Sequence, residues 1–158
     1  MKRTVELTVN GEPHSMIVDT RETLLDALRY RLGFMGPKEG CGNGNCGACT
    51  VTLNGETVNA CLAFAVEAEG AEVTTVEGVG VGDQLHPVQQ AFIETGALQC
   101  GFCTPGFIMS AKALLERTPN PSEQEIRLAI SGNLCRCTGY DKIVRAIMTA
   151  SQALSKAA

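Results

Sequence analysis

The residues best suited to chemistry in this chain are its eight cysteines, which fall into two sets of different spacing. Cys41, Cys46 and Cys49 follow the pattern C-x4-C-x2-C, and Cys61 stands further along. This is the plant-type spacing of a [2Fe-2S] cluster. Two irons bridged by two sulfides need four thiolates around a compact core, so one wrapped loop supplies three and a more distant residue supplies the fourth. Gly40, Gly42, Gly44 and Gly47 interleave with these cysteines. A loop that tight needs positive φ values and backbone close to sulfur, and its N–H groups could then donate to sulfur and tune a reduction potential.

The second set is Cys100, Cys103, Cys135 and Cys137, arranged as C-x2-C, then 31 residues, then C-x-C. This spacing is less specific, because four thiolates in paired hooks also suit a tetrahedral zinc ion. Two details favour iron and sulfide. C-x-C is tighter than the usual zinc hook, and Gly101, Thr104-Pro105, Gly132 and Thr138-Gly139 set turns and helix starts beside the thiolates. A helix N-terminus there would stabilise a negative cluster. Disulfides are the weakest reading, since pairing within C-x-C or C-x2-C is strained or merely local. The N-terminus has Lys2 and Arg3 but no apolar block and no small-residue cleavage site, so we expect no export signal and a cytoplasmic location. A reducing cytosol favours metal ligation over disulfides.

The elements that must position these thiolates divide the chain in two. Thr4 to Val9 alternates as a strand, Asn10-Gly11 marks a hairpin turn, and His14 to Val18 returns. Glu22 to Leu32 reads as an amphipathic helix, with Leu24, Leu25, Leu28 and Leu32 on one face and Thr20 as its cap. A second hairpin runs from Thr50 to Leu53, through Asn54-Gly55, to Glu56 to Asn59, and Glu72 to Val76 is a further strand. The expectation is a small mixed sheet packed on a helix over residues 1–76. Residues 77–84 are glycine-rich and lack periodicity, which marks a linker.

Residues 85–158 read as helical. Pro87 opens a helix to about Thr95, and Thr104-Pro105 opens another to about Arg117. Ser122 and Glu125 form a capping box for a third that continues to Ile130, and a fourth spans about Asp141 to Leu154. This second half is expected to be a small helical bundle, which makes the fold class α+β.

Composition narrows the partners. Thirteen Lys and Arg against seventeen Asp and Glu give a net charge of −4 without a basic stripe, which argues against nucleic acid. The longest apolar stretches fall well short of the roughly 20 residues of a membrane helix, so no membrane span is expected. His14 and His86 each stand alone and read as structural or solvated. Arg136, between two cysteines, could tune a cluster by its charge or pair with a carboxylate.

Three segments carry a family resemblance: Gly40-Cys41-Gly42-Asn43-Gly44-Asn45-Cys46-Gly47-Ala48-Cys49-Thr50-Val51, Gln99-Cys100-Gly101-Phe102-Cys103-Thr104-Pro105-Gly106, and Gly132-Asn133-Leu134-Cys135-Arg136-Cys137-Thr138-Gly139-Tyr140. Together they resemble the [2Fe-2S] subunit of the molybdenum hydroxylases, which include xanthine dehydrogenases, aldehyde oxidoreductases and aerobic carbon monoxide dehydrogenases. The resemblance spans essentially the whole chain with all eight cysteines in order. It implies a β-grasp ferredoxin domain followed by a four-helix domain, each with one [2Fe-2S] cluster. It also implies that electrons pass from a molybdenum-pterin site through the helical-domain cluster, then the ferredoxin-domain cluster, and usually on to FAD. By the same resemblance Gln99 and Cys100 lie against the molybdopterin, Cys100 being both cluster ligand and cofactor contact. From the residues alone, Gln99 reads as a helix-end amide that satisfies backbone. The chain has no room for molybdenum or flavin domains, so the resemblance places them on a large and a medium partner subunit, in a heterotrimer or a duplicated set. Pro37 stands where many relatives carry a small or hydroxylated residue.

Two other readings compete: a free-standing ferredoxin-like electron carrier, and a zinc-stabilised interaction module. A free plant-type carrier needs only the part up to Val76, and zinc leaves the first cysteine pattern unexplained.

Overall fold

A computed structural model describes residues 1–157. Strands β1 (Lys2–Val9) and β2 (Glu12–Asp19) pair antiparallel in full register, from Lys2 against Asp19 to Val9 against Glu12. The turn between them places Asn10 and Gly11 at φ 53° and 84°, the left-handed pair that suits a two-residue hairpin. The second hairpin repeats the device, with Asn54 and Gly55 at φ 51° and 86° between β3 (Thr50–Leu53) and β4 (Glu56–Asn59). Strand β5 (Glu72–Thr74) fills the middle, parallel to β1 and antiparallel to β3, so the sheet is mixed with the order β2-β1-β5-β3-β4.

Alternation along β1 sends Val5, Leu7 and Val9 inward, where they meet Val18, Val73 and the leucines of the first helical segment. That segment corrects the expected helix from Glu22 to Leu32. Its α-helical part, α1, covers only Leu24–Asp26, and the chain then widens into a π-helical turn over Ala27–Arg31. Leu32 donates five residues back, to the Ala27 carbonyl at 3.2 Å. Thr23, not Thr20, is the cap: its hydroxyl accepts from the Asp26 amide at 3.1 Å. The reason lies in the preceding turn. Asp19 takes the Arg21 amide on its carboxylate and the Glu22 amide on its carbonyl, so the chain is still turning after β2 when Thr20 passes. Leu24, Leu25 and Leu28 are nonetheless all buried, as the sequence spacing requires.

Four helices follow: α2 (Pro87–Glu94), α3 (Thr104–Arg117), α4 (Glu123–Ala129) and α5 (Asp141–Ala157). They enclose a second apolar core around Phe92, Phe107, Met109, Ile126, Ile143 and Ile147. Ser122 and Glu125 form the expected capping box on α4. Both α and β elements are therefore present, with α1 and the π-turn between β2 and β3 and the four longer helices after β5. The two apolar cores are separate, but the halves touch, because α3 lies against β3 and β4. The segment between them is partly built in: Val76–Gly78 forms a 3-10 turn, Val79 is buried in the helical core, and the Glu77 carboxylate accepts from the Gly36 amide at 2.6 Å. Among the described residues no helix is long and apolar enough to cross a membrane.

Candidate metal centres

The first centre sits in the loop between the π-turn and β3, with Cys61 brought up just beyond β4. The loop is held at its start by Arg29, whose guanidinium donates to the carbonyls of Met35 (3.2 Å) and Pro37 (2.7 Å). Pro37 is buried there. Lys38 donates its amide to the Ala48 carbonyl at 2.9 Å and closes the loop's neck.

Within the loop the thiols lie in pairs. Cys41 and Cys46 are close enough to act on each other, and so are Cys49 and Cys61. Backbone amides converge on them. The Cys41 thiol is lowered to about 7, chiefly by the Asn43 amide and further by its Cys46 neighbour and the amides of Cys46 and Asn45. At Cys46 burial pushes the thiol up, opposed by the Ala48 amide. Cys49 is pushed up to about 12, first by burial and then by the other thiols. The amide donors are thus mostly the residues beside the glycines. The glycines serve this arrangement in two ways. Gly47, at φ 66°, turns the chain where only glycine is comfortable. Gly40 lies outside the left-handed region, but a Cβ on it would stand 2.9 Å from the Cys46 sulfur.

The second centre joins the start of α3 to the loop between α4 and α5. Cys103 is the N-cap residue of α3, so that helix presents its positive end to the site, as the sequence suggested. Pairing recurs: Cys100 and Cys137 lie 3.6 Å apart, and Cys103 and Cys135 are close enough to act on each other. Burial pushes Cys103 up to about 12. Burial also acts on Cys135, but there the Thr138 hydroxyl (3.1 Å) and amide (3.4 Å) donate to sulfur and win, leaving the thiol lowered. Tyr140, at φ 68°, is held in the left-handed region while its hydroxyl accepts from the Cys135 amide at 3.0 Å. Its ring meets Phe107 edge-on at 6.2 Å.

All eight cysteines are free. Their two-plus-two pairing fits a core of two irons, each taking two thiolates. A single tetrahedral ion instead needs four donors about one point. Among the described residues no group of three or more His, Cys, Asp or Glu side chains gathers in that way.

The remaining candidates are placed as follows. Gln99 is exposed, and its amide donates to the Cys137 carbonyl at 3.1 Å; it satisfies backbone as the residues alone suggested, but from the loop between α2 and α3 and not at a helix end. Cys100 is exposed beside it, and Leu98, Phe102 and Leu134, close to the cysteines in sequence, are each more than 40% exposed. His86 caps α2, its Nδ1 accepting from the Val88 amide at 3.2 Å, and His14 packs edge-on against Phe34. Both are structural. Arg136 is exposed and, among the described residues, forms no ion pair within 4.0 Å. Sequence reasoning missed Arg29 and Asn133, because neither is of a type that binds metal. The only signal for Asn133 was its place next to a cysteine hook.

Comparison with known proteins gives these centres a setting. Residues 7–76 match the 2Fe-2S iron-sulfur cluster binding domain, and residues 75–148 match a second [2Fe-2S] binding domain. The nicotinate dehydrogenase small FeS subunit of Eubacterium barkeri is 49% identical over 146 residues, covering 92% of this chain and 93% of that one. The crystal structure of quinoline 2-oxidoreductase from Pseudomonas putida contains a chain that superposes with a TM-score of 0.94 at 43% identity, covering 98% of this chain and 97% of that one. The aldehyde oxidoreductase of Desulfovibrio desulfuricans also superposes with a TM-score of 0.94, at 48% identity, but there the match covers 98% of this chain and only 17% of that one. The same unit thus occurs both at its own length and inside a longer polypeptide. With two adjoining [2Fe-2S] domains, and with relatives of similar length aligned nearly end to end, the chain belongs to the iron-sulfur small-subunit family of the molybdenum hydroxylases.

Proposed function

We propose that this chain carries electrons, one at a time, from a molybdenum-pterin site on a large partner subunit to FAD on a medium subunit, or to another acceptor. Cys41, Cys46, Cys49 and Cys61 would hold one [2Fe-2S] cluster, and Cys100, Cys103, Cys135 and Cys137 the other. Each cluster, when bound, supplies a one-electron redox centre. The observation that carries this reading is the two-plus-two thiol pairing in both sets, each inside a matched [2Fe-2S] domain. In family terms residues 1–76 are a β-grasp ferredoxin domain, 77–84 a linker, and 85 onward a four-helix domain. A heterotrimer, single or duplicated, in the reducing cytoplasm is the assembly and location that this reading proposes.

The chain's own residues do the rest. Amides of Asn43, Asn45 and Cys46 stabilise negative charge on the Cys41 sulfur, and Thr138 does so at Cys135. The N-terminus of α3 adds positive potential at Cys103. Gln99 and Cys100 would face the molybdopterin, and the exposed apolar side chains of Leu98, Phe102 and Leu134 suit burial against the large subunit.

Purification from the native source tests this. We expect copurifying molybdenum and flavin subunits, acid-labile sulfide, and two distinct [2Fe-2S] signals by low-temperature EPR after reduction. Zinc, or a lone chain with one cluster, would refute the reading; a lone chain with both clusters would favour the free-standing carrier. Cys100→Ser should impair reduction of the clusters by substrate more than it lowers stability. Unchanged reduction would remove Cys100 from the pterin side.

A further inference from the structure

The two cysteine loops meet directly. The amide of Leu134 donates to the carbonyl of Cys46 at 2.9 Å. Leu134 precedes Cys135, so a ligand of the first centre and a ligand of the second are connected by one hydrogen bond and one intervening residue. Beside this bridge lies Asn133, only 4% exposed. Its Nδ2 donates to the Gly47 carbonyl at 3.0 Å and toward the Thr50 hydroxyl at 3.3 Å, and its Oδ1 accepts from the Ser110 hydroxyl at 2.7 Å. The amide's orientation is fixed by Gly47, because a carbonyl can only accept. Its backbone N–H is used as well, on the Ile130 carbonyl at 2.9 Å. One side chain therefore ties the first loop, β3 and α3 to the second loop.

Close backbone approach completes the seam. A Cβ on Gly106 would collide with the Gly47 carbonyl, and one on Gly47 would stand 2.5 Å from the Gly132 carbonyl. The absence of side chains at these points brings the loops within hydrogen-bonding range. A buried amide with all its partners in place is costly to disrupt, since each orphaned group forfeits its solvation. The rigidity of the Leu134–Cys46 bridge thus rests on Asn133.

We infer that Asn133 is a positioning residue for intercluster electron transfer, locking the Cys46 and Cys135 loops in the register at which the Leu134 amide bridges them. The inference rests on the function proposed above. The step is the passage of one electron: one cluster is oxidised by one electron and the other reduced by one. No bond forms or breaks and no proton moves. Ser110 orients Asn133 and so acts at one further remove.

The test uses the assembled complex with Asn133→Ala, Asn133→Asp and Ser110→Ala, reduced by dithionite. Asn133→Asp keeps the shape but turns an acceptor toward the Gly47 carbonyl. We expect full iron and sulfide content, an altered magnetic splitting between the two reduced clusters in EPR, and slower intercluster transfer after flash reduction. Hydrogen exchange at the Leu134 amide should speed up on the order of tenfold, as expected when a buried hydrogen-bonded partner is lost. Ser110→Ala should shift the same observables in the same direction, by less. If the Asn133 variants fail to load their clusters, Ser110→Ala decides. Wild-type splitting, transfer rate and Leu134 exchange in variants that keep both clusters would overturn this inference alone. A wild-type complex lacking two [2Fe-2S] signals would overturn the function on which it rests.

Discussion

Replacing Gly47 by alanine tests the seam through a single methyl group. Gly47 sits at φ 66°, where an L-residue with a Cβ is strained by roughly 1–2 kcal/mol. The added Cβ would also press on the Asn133 amide and stand 2.5 Å from the Gly132 carbonyl oxygen. The first is a clamped side chain and the second is backbone, so neither can step aside cheaply, and crowding of this kind costs about 1–3 kcal/mol more. The control is Gly139→Ala. Gly139 has nearly the same φ, 67°, but open space where its Cβ would go, so it carries the strain without the collision. For a chain of this size each kcal/mol lowers the melting midpoint by about 2–4 °C. Gly139→Ala should therefore melt about 2–8 °C below wild type, and Gly47→Ala a further ~2–12 °C lower. The assay is thermal unfolding of the cluster-loaded protein at one fixed scan rate, followed by visible circular dichroism and far-ultraviolet ellipticity. Equal losses in the two variants would show that the two loops do not press on each other as the geometry requires.

Two further perturbations probe the supporting structure. His86 is held below its ordinary value of 6.5, first by burial and then by the charge of Lys112, and only the neutral ring can accept from Val88. As pH falls the unfolded chain takes up the proton first, so this contribution is intact above about 6.5 and is lost below it until the folded ring also protonates. His86→Asn keeps a capping acceptor and should flatten that part of the stability profile, whereas His86→Ala should cost about 1 kcal/mol at neutral pH; a slope that survives in His86→Asn would place its origin elsewhere. Phe107→Ala empties a fully buried site in the second core and removes the ring that Tyr140 rests on. It should cost about 3–5 kcal/mol and disturb the EPR signal of the second cluster while leaving that of the first unchanged.

Much of this protein could be read locally. The two Asn-Gly turns, the alternation of β1, the burial of Leu24, Leu25 and Leu28, and the Ser122 capping box follow from dihedral preference and hydrophobic period, which act over a few residues. Where a local signal competed with an equally local rival, the reading slipped: Thr20 could cap a helix, but Asp19 had already committed the chain to a turn, and Thr23 took the role. For the first cysteine loop spacing alone pointed to a [2Fe-2S] cluster, because four thiolates around two irons constrain sequence distance directly. The second set spans 31 residues between its hooks, so its spacing left zinc open and the thiol pairing had to come from the fold.

What the sequence determined by itself was the inventory, eight thiolates in two sets, because ligand chemistry and loop size are properties of short segments. What only the tertiary structure decided is how the sets face each other. Gly47 and Asn133 are 86 positions apart, and the Leu134–Cys46 bridge spans 88. No periodicity or motif encodes such a contact, because it arises only when α3 packs against β3 and β4 and carries one cysteine loop to the other.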